Sequence, residues 1–183
     1  MWIYQLRELT DALSTHELDL PWPAFDSFWL RLHGVLTEVS KRVRRVKLAE
    51  SHPYRPWHQP VLDAMDALLD ELSDNEVMFA YWCRQRAAHV YLDGLGLNLK
   101  GDDNVKRSRP LDLLGRDLSI EELDEAIGEM LALTETPATI AVRLAKRIQP
   151  TTSKLADAYS TWQNLTDEEV VRSLAQSRFS PET

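Results

Sequence analysis

Residues 25–46 have the sequence FDSFWLRLHGVLTEVSKRVRRV, in which apolar residues recur in steps of three or four. This stripe consists of Phe25, Phe28, Leu32, Leu36, Val39, Val43 and Val46. An α-helix makes one turn in 3.6 residues, so this spacing collects the stripe on one face. The stretch therefore predicts a long amphipathic helix that packs against a core.

Helical patterns also fill most of the remaining chain. The predicted helices cover residues 2–13, 61–72, a stretch from Ser73 to about Asp93, 120–133, 137–149, the surroundings of Leu155, Tyr159 and Trp162, and a short segment after Thr166. Ser73 with Glu76, and Ser119 with Glu122, have the spacing of capping boxes at helix N-termini. No period-two strand pattern occurs, and the sequence predicts an all-α, single-domain bundle of about six to eight helices.

Prolines are expected to break this helical pattern after the long helix. Pro53, Pro56 and Pro60 predict a stiff connector, because proline lacks the backbone N–H that a helix interior uses. Two aromatic residues in this connector, Tyr54 and Trp57, are expected to pack against the core.

The C-terminal part of the chain is expected to pack on the same core as the N-terminal part. Residues 1–96 are predicted to form a helical bundle with a candidate site, residues 97–118 a polar loop, and residues 119–183 further helices. Within the last group, Pro150 is predicted to end the helix that begins at Pro137.

Composition limits the functional classes. The chain has 183 residues and 44% hydrophobic content, which is enough for one real core. Its single cysteine, Cys83, excludes an intrachain disulfide, and no Cys/His cluster has zinc spacing. Charges interrupt every apolar stretch well before the ~20 residues that a membrane span needs. We therefore expect a soluble cytoplasmic protein with no membrane association.

An acidic stripe is the one pattern that resembles a metal site. Asp63, Asp66 and Asp70 lie on one face of a predicted helix, where they would either bind magnesium with a second carboxylate pair or face solvent. The chain shows no paired acidic motif at a suitable separation. We expect a solvated acidic face, with no metal and no other cofactor.

The net charge is −8, but residues 41–47, KRVRRVK, are strongly basic. This run contains Lys41, Arg42, Arg44, Arg45 and Lys47. Because the apolar stripe occupies another face of the same predicted helix, these side chains should point to solvent. Either they pair with acidic helices of the same chain, or they form an RNA-binding groove that Lys106, Arg107 and Arg109 extend.

Residues 82–94, WCRQRAAHVYLDG, carry a second candidate site. Four residues separate Arg84 from His89, a polar Gln85 follows the arginine, and Tyr91 follows the histidine by two positions. The stretch resembles the R-x4–6-H motif of HEPN ribonucleases, and in particular the R-x4-H-x-Y form of their toxin branch. The resemblance is confined to residues of this one predicted helix.

This resemblance implies a metal-independent endoribonuclease with a toxin or anti-phage role. In such an enzyme the RNA 2′-hydroxyl attacks the adjacent phosphorus and leaves a cyclic phosphate. By the resemblance, His89 would transfer protons and Arg84 would hold the phosphoryl oxygens. Tyr91 matches a position that a partner transferase modifies with AMP. The resemblance also implies a homodimer and an antitoxin as protein partner.

The same stretch also fits an ordinary helix. On an ideal helix Arg84 and His89 lie about 140° apart, whereas His89 faces Arg86 and Asp93 at spacings of three and four. Local surface pairs would account for these residues. The alternative function is a non-catalytic helical adaptor or scaffold subunit, whose basic run binds RNA or an acidic protein partner.

Overall fold

The computed structural model describes residues 1–50, 52–93, 122, 125–126, 128–130, 136–165, 168–169 and 171–172, with only the backbone for 85–93. Within these ranges every regular element is helical and no strand occurs. The predicted all-α fold is therefore confirmed. The predicted loop over residues 97–118, including Lys106, Arg107 and Arg109, lies outside the described residues.

The described part of the chain contains six α-helices. They are α1 (Trp2–His16), α2 (Trp22–Gly34), α3 (Ser40–Arg45), α4 (Arg55–Asp70), α5 (Asp74–Asp93) and α6 (Pro137–Gln163). A 3-10 turn, Glu17–Asp19, follows α1, and a π-helical turn, Val35–Val39, joins α2 to α3. The long helix predicted from the apolar stripe is present as one helical run with a π turn inside it.

Gly34 lies where α2 meets the π turn, and the Trp2 ring of α1 packs directly on it. A Cβ atom at Gly34 would lie 2.2 Å from Cζ3 of Trp2, far inside van der Waals contact. The guanidinium of Arg31 also lies over the Trp2 ring, 5.9 Å from its centroid. This close approach requires glycine at position 34 and fixes the start of α1 against α2.

The predicted proline connector is wrong in its extent. Helix α4 already begins at Arg55, with Pro56 in its first turn and Pro60 inside it. Pro56 costs little because the N–H groups of a first turn have no helical partner. Pro60 is exposed, so water can reach the carbonyl that loses its partner. Tyr54 is 39% exposed, which contradicts its predicted packing against the core.

The predicted helix end at Pro150 is also wrong. Helix α6 continues through this residue to Gln163, and Pro150 lies on its exposed side. Buried or half-buried residues recur at helical spacing across the proline. They are Ile148 before it and Thr152, Leu155, Tyr159 and Trp162 after it. Burial of this unbroken stripe against α1 and α4 outweighs the missing hydrogen bond, which costs ~3 kcal/mol in a helix interior.

Helix α6 is the central element of the described core. It runs antiparallel to α1, because Lys146 pairs with Glu17 at one end while Tyr159 contacts Tyr4 at the other. It also packs along α4, and α2 packs on α5, where the Trp29 and Phe79 rings are 5.3 Å apart. The largest fully buried side chains are Trp29, Phe28, Phe79, Leu6, Leu13, Leu32, Leu36, Met65, Leu68, Ile140, Leu144 and Ile148.

The predicted capping box at the start of α5 is confirmed. The backbone N–H of Ser73 donates to the Glu76 carboxylate at 2.9 Å, and the N–H of Glu76 donates to Ser73 Oγ at 3.3 Å. The side chain of Glu76 is only 8% exposed and also pairs with Arg147 of α6, at 2.5 Å. One carboxylate therefore begins α5 and ties it to α6.

Candidate functional site

The basic segment, defined as Lys41, Arg42, Arg44, Arg45 and Lys47, lies on α3 and directly after it. On the inner side of α3, Ser40 and Val43 are buried, and this leaves all five cations exposed, as the sequence predicts. Val46, which the sequence places in the buried stripe, is instead 39% exposed, since α3 ends before it.

One cation of the basic segment pairs with a carboxylate that the structure describes. Arg44 forms an ion pair with Asp66 of α4, and its Nε donates to Ser40 Oγ at 3.0 Å. Among the described residues, no carboxylate lies within ion-pair distance of the other four cations. The hypothesis that this face is neutralised by acidic helices of the same chain therefore accounts for Arg44 alone within the described ranges.

A groove of about 390 Å³ runs beside the basic segment. Three separate parts of the chain form this aromatic groove, namely the start of α1, the π turn with α3, and the end of α6. Its lining residues are Met1, Trp2, Glu38, Val39, Arg42, Val43, Val46, Tyr159 and Trp162. Arg42 belongs to both features, so cationic and apolar surfaces are continuous here.

Contacts among aromatic rings build the α6 wall of the groove. The Tyr159 ring lies 6.1 Å from Tyr4 and 5.9 Å from Trp162, both in edge-to-face geometry. The Trp162 ring lies 5.1 Å from the buried imidazole of His58 on α4. These contacts join α1, α4 and α6 at this wall of the groove.

A second cleft, of about 610 Å³, lies at the other end of the α1–α6 pair. Its basic side chains are Arg143, Lys146 and Arg147, which lie on one face of α6. Lys146 pairs with Glu17 and Arg147 with Glu76, so these cations join helices to each other. With α1 spanning ~22 Å, this cleft is well separated from the aromatic groove.

Only part of the HEPN-like stretch can be located in side-chain detail. Arg84 is half-buried on α5, whereas for His89 and Tyr91 the structure describes the backbone alone. That backbone is one unbroken helix, Asp74–Asp93, as the sequence predicts. The predicted catalytic roles of His89 and Tyr91 concern side chains outside the described residues.

The structure instead places Arg84 near a histidine that sequence reasoning missed. His33 lies on α2, with its ring 5.8 Å from that of Tyr81 on α5. Within the described residues its buried Nε2 has no hydrogen-bond partner. Burial, and to a smaller extent the charge of Arg84, lowers the pKa of His33 from 6.5 to about 4. No local sequence signal marks His33, because the pairing joins two helices far apart in the chain.

The acidic stripe faces solvent as predicted. Asp63, Asp66 and Asp70 are all exposed, and Asp66 is engaged by Arg44. Among the described residues, no group of three or more His, Cys, Asp or Glu side chains could hold a metal ion. No helix in that part of the chain is long and apolar enough to cross a membrane.

Comparison with family models, with curated proteins and with solved structures gives no match for this chain. The likeness to HEPN ribonucleases therefore depends on the short stretch around Arg84 and His89.

Proposed function

We propose that this protein is a non-catalytic helical adaptor that captures an anionic partner through its basic segment. One observation carries the proposal: Lys41, Arg42, Arg45 and Lys47 are exposed within seven residues, and no described carboxylate pairs with them. The chain has 29 acidic residues against 21 lysines and arginines, so carboxylates are plentiful. A cationic cluster that the described carboxylates leave unneutralised is suited to a charge supplied from outside.

The reach of this cluster is short. At physiological ionic strength the Debye length is about 8 Å, so a bound partner feels mainly the local cations. A long polyanion would also meet the rest of a chain whose net charge is −8. The surface therefore favours a partner that presents a compact group of negative charges.

A charge-matched pair of variants tests the proposal. The first replaces Lys41, Arg42, Arg45 and Lys47 by glutamine. The second replaces four exposed cations elsewhere, Arg143, Lys146, Lys154 and Arg172, by glutamine, so both variants have the same net charge. Circular dichroism checks that both variants stay folded, because Lys146 also pairs with Glu17. Affinity for labelled polyglutamate and for single-stranded RNA is measured by fluorescence anisotropy across a salt series.

We expect the first variant to bind at least tenfold more weakly. Its salt dependence on single-stranded RNA should also be flatter, by ~0.7 in slope for each phosphate that the protein no longer neutralises. The second variant should stay close to wild type. Equal weakening in both variants would mean that net charge alone governs binding, and would overturn the proposal. Failure of the wild type to bind any anion would do the same.

We propose a metal-independent endoribonuclease of HEPN type as the second candidate function. The observation that favours it is the partial exposure of Arg84 together with the effect of its charge on His33. Arg84 would hold a phosphoryl group, and His89 would accept the proton of the attacking 2′-hydroxyl. The bond from phosphorus to the 5′-oxygen would break, and the proton on His89 would pass to that leaving oxygen. Tyr91 would be the position modified by a partner transferase. The half-buried histidine near Arg84 gives this hypothesis a second imidazole to test.

The test is incubation of tRNA and mRNA with the protein in EDTA, scored for fragments that end in cyclic phosphate. His89→Ala should lower cleavage by ~10²–10⁴-fold, the usual contribution of general acid–base catalysis. His33→Ala distinguishes the two imidazoles, and exposed His16→Ala is the matched control. If the wild type leaves the RNA intact, the nuclease hypothesis is wrong and only the adaptor function remains.

A further inference from the structure

The aromatic groove concentrates the exposed apolar surface of the protein. Large hydrophobic side chains that are exposed among the described residues are Met1, Trp2, Leu18, Trp22, Val46, Tyr54 and Val171. Three of these seven, Met1, Trp2 and Val46, line this one groove, and half-buried Tyr159 and Trp162 form its α6 wall. Scattered apolar residues are ordinary on a surface, whereas a contiguous set beside charges is typical of a binding site.

The aromatic rings of the groove are poorly placed to stack on nucleic-acid bases. The Trp2 ring has the Arg31 guanidinium over it and Gly34 pressed against it. Trp162 is engaged in edge-to-face contacts with His58 and Tyr159. Base stacking needs a free ring face, and both rings already make these contacts within the fold.

Aliphatic side chains and a carboxylate also line the groove. Val39, Val43 and Val46 suit the branched or aromatic side chains of a protein better than they suit bases. Exposed Glu38 would repel any anionic group along this part of the lining, so the negative charges of a partner must lie beside Arg42 and Arg45 instead. Arg42 and Arg45, which pair with no described carboxylate, lie on the neighbouring helix and provide the positive rim.

We propose that the aromatic groove and the basic segment together bind an acidic amphipathic helix of a protein partner. The apolar face of that helix packs on Trp2, Val46 and Trp162, and its flanking carboxylates pair with Arg42 and Arg45. This inference rests on the proposed adaptor function and names its partner class. A helix laid in a groove presents residues at i, i+3, i+4 and i+7, which matches an apolar floor with charge along one side.

A display library of helical peptides about 18 residues long, or five turns, provides the probe. Peptides selected on the wild type are sequenced and then measured by anisotropy against three variants. Val46→Asn removes exposed apolar surface from the groove without changing charge. Val171→Asn makes the same exchange at an exposed valine outside the groove. The glutamine variant at residues 41, 42, 45 and 47 removes the cations.

We expect the selected peptides to share apolar residues at i, i+3, i+4 and i+7 with aspartate or glutamate beside them. Their Kd should rise about tenfold with Val46→Asn, which corresponds to ~1.4 kcal/mol. The glutamine variant should weaken them at least as much, and Val171→Asn should leave them unchanged. Circular dichroism of each variant checks that the helices are retained.

The remaining outcomes separate this inference from the proposed function. Peptides that need the cations but tolerate Val46→Asn overturn the inference and leave the adaptor function standing. If no acidic amphipathic peptide is selected and RNA binding depends on Val46, the inference is wrong and the groove binds RNA instead. Absence of binding to every anionic probe overturns both.

Discussion

Nε2 of His58 on α4 lies 3.1 Å from the carbonyl oxygen of Val43 on α3, and both residues are buried. The same carbonyl accepts the backbone N–H of Val46 at 3.2 Å, so two donors meet one acceptor. For this contact to be a hydrogen bond, Nε2 of the imidazole must carry a proton, because a carbonyl oxygen only accepts. The contact holds the end of α3, and with it the basic segment, against α4.

His58→Phe should therefore destabilise the protein by ~1 kcal/mol, the typical net value of one hydrogen bond. Phenylalanine keeps a ring beside Trp162 but cannot donate to the Val43 carbonyl. Urea denaturation measures the change, with His16→Phe as the control because His16 is exposed at the end of α1. If both variants unfold at the same urea concentration, the contact does not stabilise the fold.

Glu76→Ala should lower the free energy of unfolding by about 2–3 kcal/mol, more than His58→Phe does. The substitution removes a helix cap and a partly buried ion pair together. Glu76→Gln keeps an oxygen for the Ser73 N–H and removes the charge that faces Arg147, so its stability should lie between alanine and wild type. Thermal unfolding measures all three proteins. Glu8→Ala, at an exposed position on α1, is the control and should be neutral. An equal loss of stability for glutamine and alanine would assign the whole effect to the ion pair.

The sequence predicts helices correctly where apolar residues recur at helical spacing. Its predictions fail where a single proline is assumed to end a helix. The apolar stripe of residues 25–46 and the Ser73–Glu76 box predict real elements, because helix spacing and capping are local properties. Pro60 and Pro150 each remove one backbone hydrogen bond, which is a local cost. Burial of the apolar stripe extends along the helix on both sides of each proline and outweighs that cost. At Pro150 the helical spacing from Ile148 to Leu155 already signals continuity.

Of the candidate binding surface, the sequence predicts only the charge and the exposure of the basic segment. Exposure of the basic segment follows from the helix face opposite Val43, but whether its cations find partners depends on which helices lie nearby. The aromatic groove joins the first residues of the chain to residues 159–162 and the π turn. Such a surface forms only in the folded chain, and the same holds for the approach of Arg84 to His33.

Pro150→Ala should stabilise the protein, since alanine restores the hydrogen bond to the Lys146 carbonyl inside α6. We expect a gain of ~1–3 kcal/mol, reduced somewhat because proline also restricts the unfolded chain. Urea denaturation provides the measurement, and exposed Thr161→Ala near the end of α6 is the control. If Pro150 instead ended a helix, the substitution would have little effect or would destabilise the chain.

His33 should make the stability of the protein sensitive to mild acid. Its pKa is about 4 in the folded chain and near 6.5 when unfolded, so between these values only the unfolded chain binds the proton. The free energy of unfolding should therefore fall as pH drops from about 6.5 to 4, by up to ~1.4 kcal/mol per unit from this residue. His33→Gln, which cannot titrate, should lose less stability across that window than the wild type, while exposed His16→Gln should follow the wild type.

NMR titration of the His33 imidazole gives its pKa directly, and Arg84→Gln should raise this pKa only modestly because burial is the larger cause. A wild-type pKa near 6.5, or identical pH profiles for His33→Gln and wild type, would show that His33 is not held neutral by the fold.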